Sequence, residues 1–177
     1  VGGYFGGKLA QIGEDVTFIA RGKNLEVLKT SGLRVDSILG NFLLEKVQVT
    51  DSPRSLKNLD VILLATKTWQ LDSAIAEMKP MLGELTAILP LLNGMEHIDK
   101  LRAEFGGHVL GGLCRISSFL IAPAHVSHVA VNPHIDFNEW KQEASPRVGE
   151  ILAAFSKIKE ITTDTPSDIE LAMWEKY

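Results

Sequence analysis

The sequence of 177 residues is 45% hydrophobic and 23% charged with a net charge of −4, the proportions of an ordinary globular protein of one domain, or of one domain and part of another. Its charges are scattered, which leaves no footprint for nucleic acid or an anionic membrane surface, and no apolar run approaches the roughly 20 residues of a membrane helix. No basic segment leading into an apolar run opens the chain, and Cys114 is its only cysteine, so no secretory signal and no internal disulfide are expected and a reducing compartment suits it.

Residues 1–13 read as a helix containing Gly2, Gly3, Gly6 and Gly7 and ended by Gly13. Each such glycine costs about 1 kcal/mol against alanine in a helix, and close approach to a strand or a ligand is the reason to accept that cost. Residues 15–20 follow as a buried strand closed by Arg21-Gly22. A glycine-rich helix running into a strand is the second half of a βαβ dinucleotide-binding unit. Gly2 stands where the third glycine of G-x-G-x-x-G belongs, with the preceding strand and two glycines expected before Val1. At the tip of the second strand such units meet the adenosine ribose, and an arginine there suits the extra phosphate of NADP. Arg21 reads equally as a surface residue that caps a helix or pairs with Glu26.

A helix over 23–30 turns Leu25 and Leu28 inward, and residues 32–37 and 42–49 read as two paired strands joined near Gly40-Asn41. Ser52-Pro53 opens a short turn. Residues 61–65 then form an unbroken branched apolar run, the pattern of a parallel strand covered on both faces. A helix follows with Leu71, Ala74, Ile75 and Met78 on one face, so Lys67 and Gln70 sit at the carboxyl end of a central strand, where open α/β sheets bind ligands. Alone, Lys67 reads first as a solvated lysine at a helix start, and the rest of the chain shifts that reading toward a ligand contact.

After breaks at Pro80 and Gly83, residues 86–89 form another buried strand. Its tip carries Asn93-Gly94, a common turn device as well as a candidate contact. The next helix has Met95, Ile98, Leu101 and Phe105 in register. From His108 onward, four short strands are expected over 109–114, 116–121, 126–131 and 134–137, forming a partly antiparallel edge broken by Pro123 and Pro133. His108, His125, His128 and His134 lie here without metal-ligand spacing or a companion cysteine. A helix from Pro146, a short strand over 161–163, cap chemistry over 164–168 and a final helix over 169–177 complete the chain.

The stretches Val1-Gly2-Gly3-Tyr4-Phe5-Gly6-Gly7, Val16-Thr17-Phe18-Ile19-Ala20-Arg21-Gly22, Ala65-Thr66-Lys67-Thr68-Trp69-Gln70 and Asn93-Gly94-Met95-Glu96 together resemble the ketopantoate reductase (2-dehydropantoate 2-reductase) family. So do Gly32-Leu33-Arg34-Val35, Leu110-Gly111-Gly112, residues 123–128 and Leu171-Ala172-Met173-Trp174-Glu175-Lys176. The resemblance implies an α/β Rossmann-type NADP-binding domain over residues 1–165, lacking its first strand. Residues 166–177 would be the first helix of an all-helical substrate domain.

By the same resemblance Gly2 closes the phosphate fingerprint and Arg21 holds the 2′-phosphate of NADPH. Lys67 and Gln70 border the cofactor, Asn93 bonds toward its ribose and nicotinamide end, and Ser117 lies near a backbone contact. Lys176 matches the lysine that protonates the substrate carbonyl, while the residues that grip the substrate would follow Tyr177.

The activity implied is NADPH-dependent reduction of ketopantoate to pantoate, in pantothenate and coenzyme A synthesis. The expected setting is cytoplasmic, with a small-molecule partner, no nucleic acid, no membrane, no metal, and a homodimer compatible with all of this. Residues 1–177 by themselves are expected to be inactive. Alternatives from the residues are another two-domain NAD(P)-dependent 2-hydroxy or 3-hydroxy acid dehydrogenase, or a non-catalytic nucleotide-binding module.

Overall fold

Four glycines decide how closely the first helix can stack on its neighbours. In the computed structural model, which describes residues 1–140 and 145–176, α1 spans Gly2–Gln11. A Cβ added at Gly2 would stand 3.1 Å from Ala65 Cβ, at Gly3 2.9 Å from Val126 Cγ2, at Gly6 3.0 Å from the Phe18 ring, and at Gly7 3.0 Å from Leu33 Cδ2. These are shorter than ordinary carbon contacts, so the helix carries its weak helix formers in exchange for close approach. Tyr4 and Phe5 are fully buried, and buried Lys8 reaches Glu160 at 3.0 Å.

The chain then builds parallel ladders. β1 (Thr17–Ile19) is followed by α2 (Gly22–Ser31) and pairs in parallel with β4 (Gln48–Thr50). Between them β2 (Leu33–Ser37) and β3 (Phe42–Leu44) form an antiparallel pair. Residues 42–49 are therefore not the single strand expected from the sequence. Exposed Glu45 and Lys46 interrupt the pairing, and the chain crosses to another partner.

β5 (Val61–Leu64) pairs in parallel with β6 (Ala87–Pro90), and Val109 continues the order through a parallel bridge to Ile88. α3 (Leu71–Met78) and α4 (Glu96–Phe105) cover this ladder with Leu71, Ile75, Met78, Leu101 and Phe105, the registers expected from their periodicity. The architecture is the α/β class with parallel strands, as expected. Among the described residues it is divided into two two-stranded ladders and one five-stranded sheet.

The second half differs from the sequence reading. β7 (Gly111–Ala122) and β8 (His125–Asn138) are two long antiparallel strands, not four short ones. Arg115 pairs with His134 and Ser117 with Ala130, so Pro133 falls in the irregular interval, where its missing N–H interrupts no ladder. Val131 in the same interval has φ +64. Nor is β8 an edge, since it also pairs in parallel with β2 and with β9 (Thr162–Asp164).

The histidines of this region bind neighbouring segments. His125 Nε2 meets Asp36 at 2.7 Å, His134 Nδ1 meets Thr162 Oγ1 at 2.7 Å, and buried His128 spans Ser37 Oγ at 2.8 Å and the Val131 carbonyl at 2.9 Å. α5 (Pro146–Phe155) packs Val148, Ile151 and Phe155 onto the main core. α6 (Ile169–Glu175) is capped by Asp168, whose Oδ1 accepts from the Leu171 N–H at 2.9 Å. The last residue expected in that helix, Tyr177, lies outside the described residues. No helix among the described residues is long and apolar enough to cross a membrane.

A cleft of about 660 Å³ opens at the amino ends of β5 and β6, lined by Asp60, Leu85, Trp140 and Glu150 among others. At its wall the Arg147 guanidinium grips Glu139 through two hydrogen bonds of 2.7 Å and donates to the Gly107 carbonyl, while Ser145 Oγ donates to the same carboxylate. Burial pushes the Glu139 carboxyl up, but the hydrogen bonds from Arg147 and Ser145 outweigh it and hold the group below the usual carboxylate range.

Two predictions follow from this packing. At Gly32, φ is +75 and an added Cβ would lie 1.8 Å from the Leu44 carbonyl oxygen, whereas at Gly13, φ is +93 with nothing within 4 Å. Gly13→Ala should therefore cost only conformational strain, about 1–2 kcal/mol, and Gly32→Ala more than about 4 kcal/mol, in denaturant unfolding of the complete protein. Equal losses would remove the Leu44 carbonyl as the constraint.

Arg147→Ala leaves a buried carboxylate uncompensated and should cost about 3 kcal/mol at neutral pH. Because the folded-state pKa of Glu139 lies below its unfolded value, the pair stabilises above the carboxylate range and loses this contribution as pH falls through the depressed value. The stability gap between wild type and variant should accordingly narrow in acid.

Candidate functional site

Parallel β5 and β6 bring their carboxyl ends to one side of the ladder, away from the amino-end cleft. Directly after β5, Lys67 begins a single turn closed from both sides. Gln70 Oε1 accepts from the Lys67 N–H at 3.1 Å, and the Gln70 N–H donates to the Lys67 carbonyl at 2.9 Å. Both residues are exposed. Part of the Gln70 amide is thereby committed to shaping the turn, while the Lys67 ammonium projects from it.

After β6, Leu91 and Leu92 are buried and Asn93 emerges, with Gly94 at φ +86 turning the chain into α4. Asn93 Oδ1 accepts a hydrogen bond from Lys176 Nζ at 3.0 Å. Two residues 83 positions apart, both singled out in the sequence, are thus brought together.

The docking of α6 that makes this contact rests on small residues in β7. A Cβ at Gly111 would stand 2.5 Å from Ile169 Cγ2, and one at Gly112 would stand 2.6 Å from the Pro90 carbonyl oxygen. These glycines let β7 pass close to both α6 and β6. Ile169 and Met173 then pack with Ile98, Leu113 and Trp140, and Lys176 follows at the end of the helix.

The same strand brings α1 to the site. The Val1 nitrogen donates to Ser118 Oγ at 3.2 Å, next to Ser117, which sits at the irregularity of β7 opposite Ala130. Lys176 is within electrostatic reach of Cys114. Cys114 is buried, and burial lifts its thiol, with Lys176 opposing. Gly2 at the start of α1 thus lies against Ala65, two residues before Lys67, while Asn93 and Lys176 meet after β6.

His97 belongs to this group and escaped the sequence analysis. It lies four residues before Leu101, hence on the buried face of α4, and that spacing was the available signal. Its ring is 1% exposed, and neither nitrogen has a hydrogen-bond partner. Burial, and then the charge of Lys176, lower its pKa to about 4.

Arg21 stands apart. It occupies the tip of β1 as expected, in extended backbone ahead of α2, but its guanidinium pairs with Glu77 of α3 instead of Glu26. That hydrogen bond raises its pKa, and more than half of its side chain remains exposed.

The arrangement suits an anionic ligand with a polar, reducible end. The first turn of α1 has no acidic residue, Gly2 has no room for a side chain against Ala65, and the N–H groups of a helix start favour phosphate. Lys67 and Arg21 offer exposed cations after β5 and β1, the latter paired with Glu77. No group of three or more metal-binding side chains occurs among the described residues.

Comparison with known proteins gives a consistent picture. Residues 1–142 match the family model described as ApbA, Ketopantoate reductase PanE/ApbA. An uncharacterized oxidoreductase, YkpB, of Bacillus subtilis (strain 168) is 36% identical over 178 residues, covering 100% of this chain and 58% of the relative. A 2-dehydropantoate 2-reductase of Pyrococcus horikoshii is 33% identical over 126 residues, covering 71% of this chain and 40% of the relative. The crystal structure of 2-dehydropantoate 2-reductase from Geobacter metallireducens GS-15 superposes with a TM-score of 0.90 at 30% identity, covering 98% of this chain and 57% of that one. The chain spans about half the length of these relatives.

Proposed function

The chain belongs to the ketopantoate reductase PanE/ApbA family of oxidoreductases, and on that premise we propose that the complete protein reduces the 2-keto group of ketopantoate to pantoate with NADPH. The observation that carries the reading is the 3.0 Å hydrogen bond from Lys176 Nζ to Asn93 Oδ1 at the carboxyl end of β6. It holds an ammonium beside the strand tips where α/β sheets receive ligands. Residues 1–165 are the NADP-binding domain in this reading, and residues 166–177 open the substrate domain.

NADPH, when bound, supplies the hydride, which no side chain can provide. The chain's own residues bind, orient and protonate. Gly2 and the start of α1 receive the diphosphate, Lys67 and Gln70 border it, and the β7 backbone near Ser117 lies along the nicotinamide end. Asn93 orients the ribose and keeps Lys176 in place. The Lys176 ammonium donates a proton to the carbonyl oxygen as negative charge develops there. It therefore stabilises the transition state more than the bound ketone. The pathway assignment to pantothenate and coenzyme A synthesis, a cytoplasmic setting and a homodimeric state belong to the same proposal.

Arg21 is assigned the 2′-phosphate, and its pairing with Glu77 gives the assignment a specific consequence. A phosphate arriving at Arg21 competes with, or shares, a carboxylate already bonded there. Arg21→Ala should weaken NADPH binding by about 1.5–3 kcal/mol, the worth of a charged hydrogen bond, and leave NADH nearly unchanged. Glu77→Gln should shift preference further toward NADPH by removing the competing charge. Fluorescence titration of both cofactors measures this, and equal losses for NADPH and NADH in Arg21→Ala would overturn the assignment.

For Lys176, the substitution Lys176→Ala should lower kcat by roughly 10²–10⁴, the usual worth of a positioned acid, with little change in NADPH affinity. Steady-state kinetics on ketopantoate decides it. Near-normal turnover, or a loss confined to cofactor binding, would remove Lys176 from the proton-donor role.

A further inference from the structure

The strands β7 and β8 pair in uneven register. Arg115 lies opposite His134 and Ser117 opposite Ala130, so two steps along β7 answer four along β8; from there to the pair Ser118 and His128, one step answers two. β8 therefore gathers its surplus over residues 129–133. Within that stretch Val131 has φ +64, a backbone that a β-branched residue rarely adopts. Strain of this kind persists only where the surroundings enforce it, and it concentrates at functional sites.

The enforcing group is His128, whose side chain is buried. Its Nε2 stands 3.1 Å from the Ala130 carbonyl oxygen and 2.9 Å from that of Val131. A carbonyl only accepts, so Nε2 carries a hydrogen and donates to both. The φ of Val131 is the torsion between these two carbonyl carbons, and one N–H held by both therefore fixes that angle. On the far side of the ring, Nδ1 meets Ser37 Oγ at 2.8 Å, and the same oxygen accepts from the Leu39 N–H at 3.1 Å. Tyr4 of α1 packs edge-on with 5.0 Å between centroids. The ring is thus held from β2 and α1 while it grips β8.

Directly across from this grip runs the part of β7 assigned to the cofactor. Ala130 pairs with Ser117, and His128 pairs with Ser118, whose Oγ accepts from the Val1 nitrogen at 3.2 Å ahead of α1. Bulges re-aim a strand and are common beside active sites. We propose that His128 is a positioning residue: by gripping the Ala130 and Val131 carbonyls it sets where the Ser117 backbone lies along the nicotinamide end of NADPH. This rests on the proposed placement of Ser117 beside the nicotinamide. The ring touches neither cofactor nor substrate in this assignment and acts through the strand pair alone.

The test uses the complete protein with His128→Leu, His128→Gln and Val131→Gly. Leucine fills the space without a donor and releases the two carbonyls. A misplacement of about 1 Å costs up to about 10²-fold in rate, so kcat on ketopantoate should fall about tenfold or more in His128→Leu. NADPH should bind more weakly, whereas 2′-phospho-ADP-ribose, which lacks the nicotinamide, should bind as it does to wild type. Glutamine, whose amide donates to the carbonyls, should recover most of the turnover. Glycine takes positive φ without strain, so adding Val131→Gly to His128→Leu should restore part of what the leucine lost. A folded His128→Leu protein with wild-type kcat, or with equal losses for the two ligands, overturns the proposal, as does a double variant no more active than His128→Leu.

A second readout depends neither on turnover nor on the leucine variant folding. Heteronuclear NMR of ligand-free wild type should find a hydrogen on His128 Nε2. In Ser37→Ala, which frees the far side of the ring, the amide signals of Ser117 and Ser118 should shift while those of β5 and β6 stay in place. A ring without a hydrogen on Nε2, or unmoved signals at Ser117 and Ser118, also overturns the proposal. Wild-type protein that binds NADPH but leaves ketopantoate unreduced would instead sink the proposed function, and the NMR signals would still report whether His128 holds the strand.

Discussion

Close packing of one glycine-rich helix is the constraint on which the rest of the structure depends. The four positions where α1 lacks a side chain face four different segments: Gly2 the end of β5, Gly3 β8, Gly6 β1, and Gly7 the β2–β3 pair. Those segments belong to all three sheets. The helix thus lies against a member of each sheet, while Val109 bridges Ile88 of β6 just ahead of β7. A larger residue at any of the four positions would have to push a strand away. Tyr4 and Phe5 fill the space that remains, and Phe5 packs edge-on against Phe155 of α5.

The same economy of side-chain volume assembles the site. Gly111 and Gly112 let β7 approach α6 and β6 together, and the apolar contacts of Ile169 and Met173 set where α6 ends. The polar contact between Lys176 and Asn93 follows from that packing. One hydrogen bond from the half-buried Lys176 to exposed Asn93 contributes about 1–3 kcal/mol, less than the burial of an isoleucine and a methionine together, each worth about 1.5–3 kcal/mol. Placement of the ammonium is thus a property of the core, and its chemistry is available for a ligand.

Much of this was legible in the sequence because it depends on local periodicity. The glycine spacing of α1, the branched run of β5, the registers of α3 and α4, and the strand tips carrying Lys67 and Asn93 all follow from patterns within a dozen residues. What escaped depends on partners far along the chain. The break after Leu44 is decided by pairing of Gln48–Thr50 with β1, some thirty residues earlier. Pro133 looked like a strand terminator, yet it lies in an irregularity where no ladder hydrogen bond is asked of it. Arg21 found Glu77 instead of the nearer Glu26 because α3 crosses beside the tip of β1. His97 is one polar residue in an otherwise apolar stripe, and the local pattern absorbs it.

The two ends of the parallel ladder also differ in electrostatic character, and the difference separates stability from chemistry. At the amino end, Glu139 and Arg147 satisfy each other, with Ser145 and the Gly107 carbonyl completing the set. A buried carboxylate with its hydrogen bonds made acts as a structural clamp. At the carboxyl end Lys67 is exposed in the turn after β5, and His97 is buried with neither ring nitrogen hydrogen-bonded. Buried groups left unsatisfied lower stability unless another state uses them. Finding such a group at the strand tips, and a satisfied network at the opposite end, points the chemistry of this chain to the tips, although a cleft of about 660 Å³ opens at the other end.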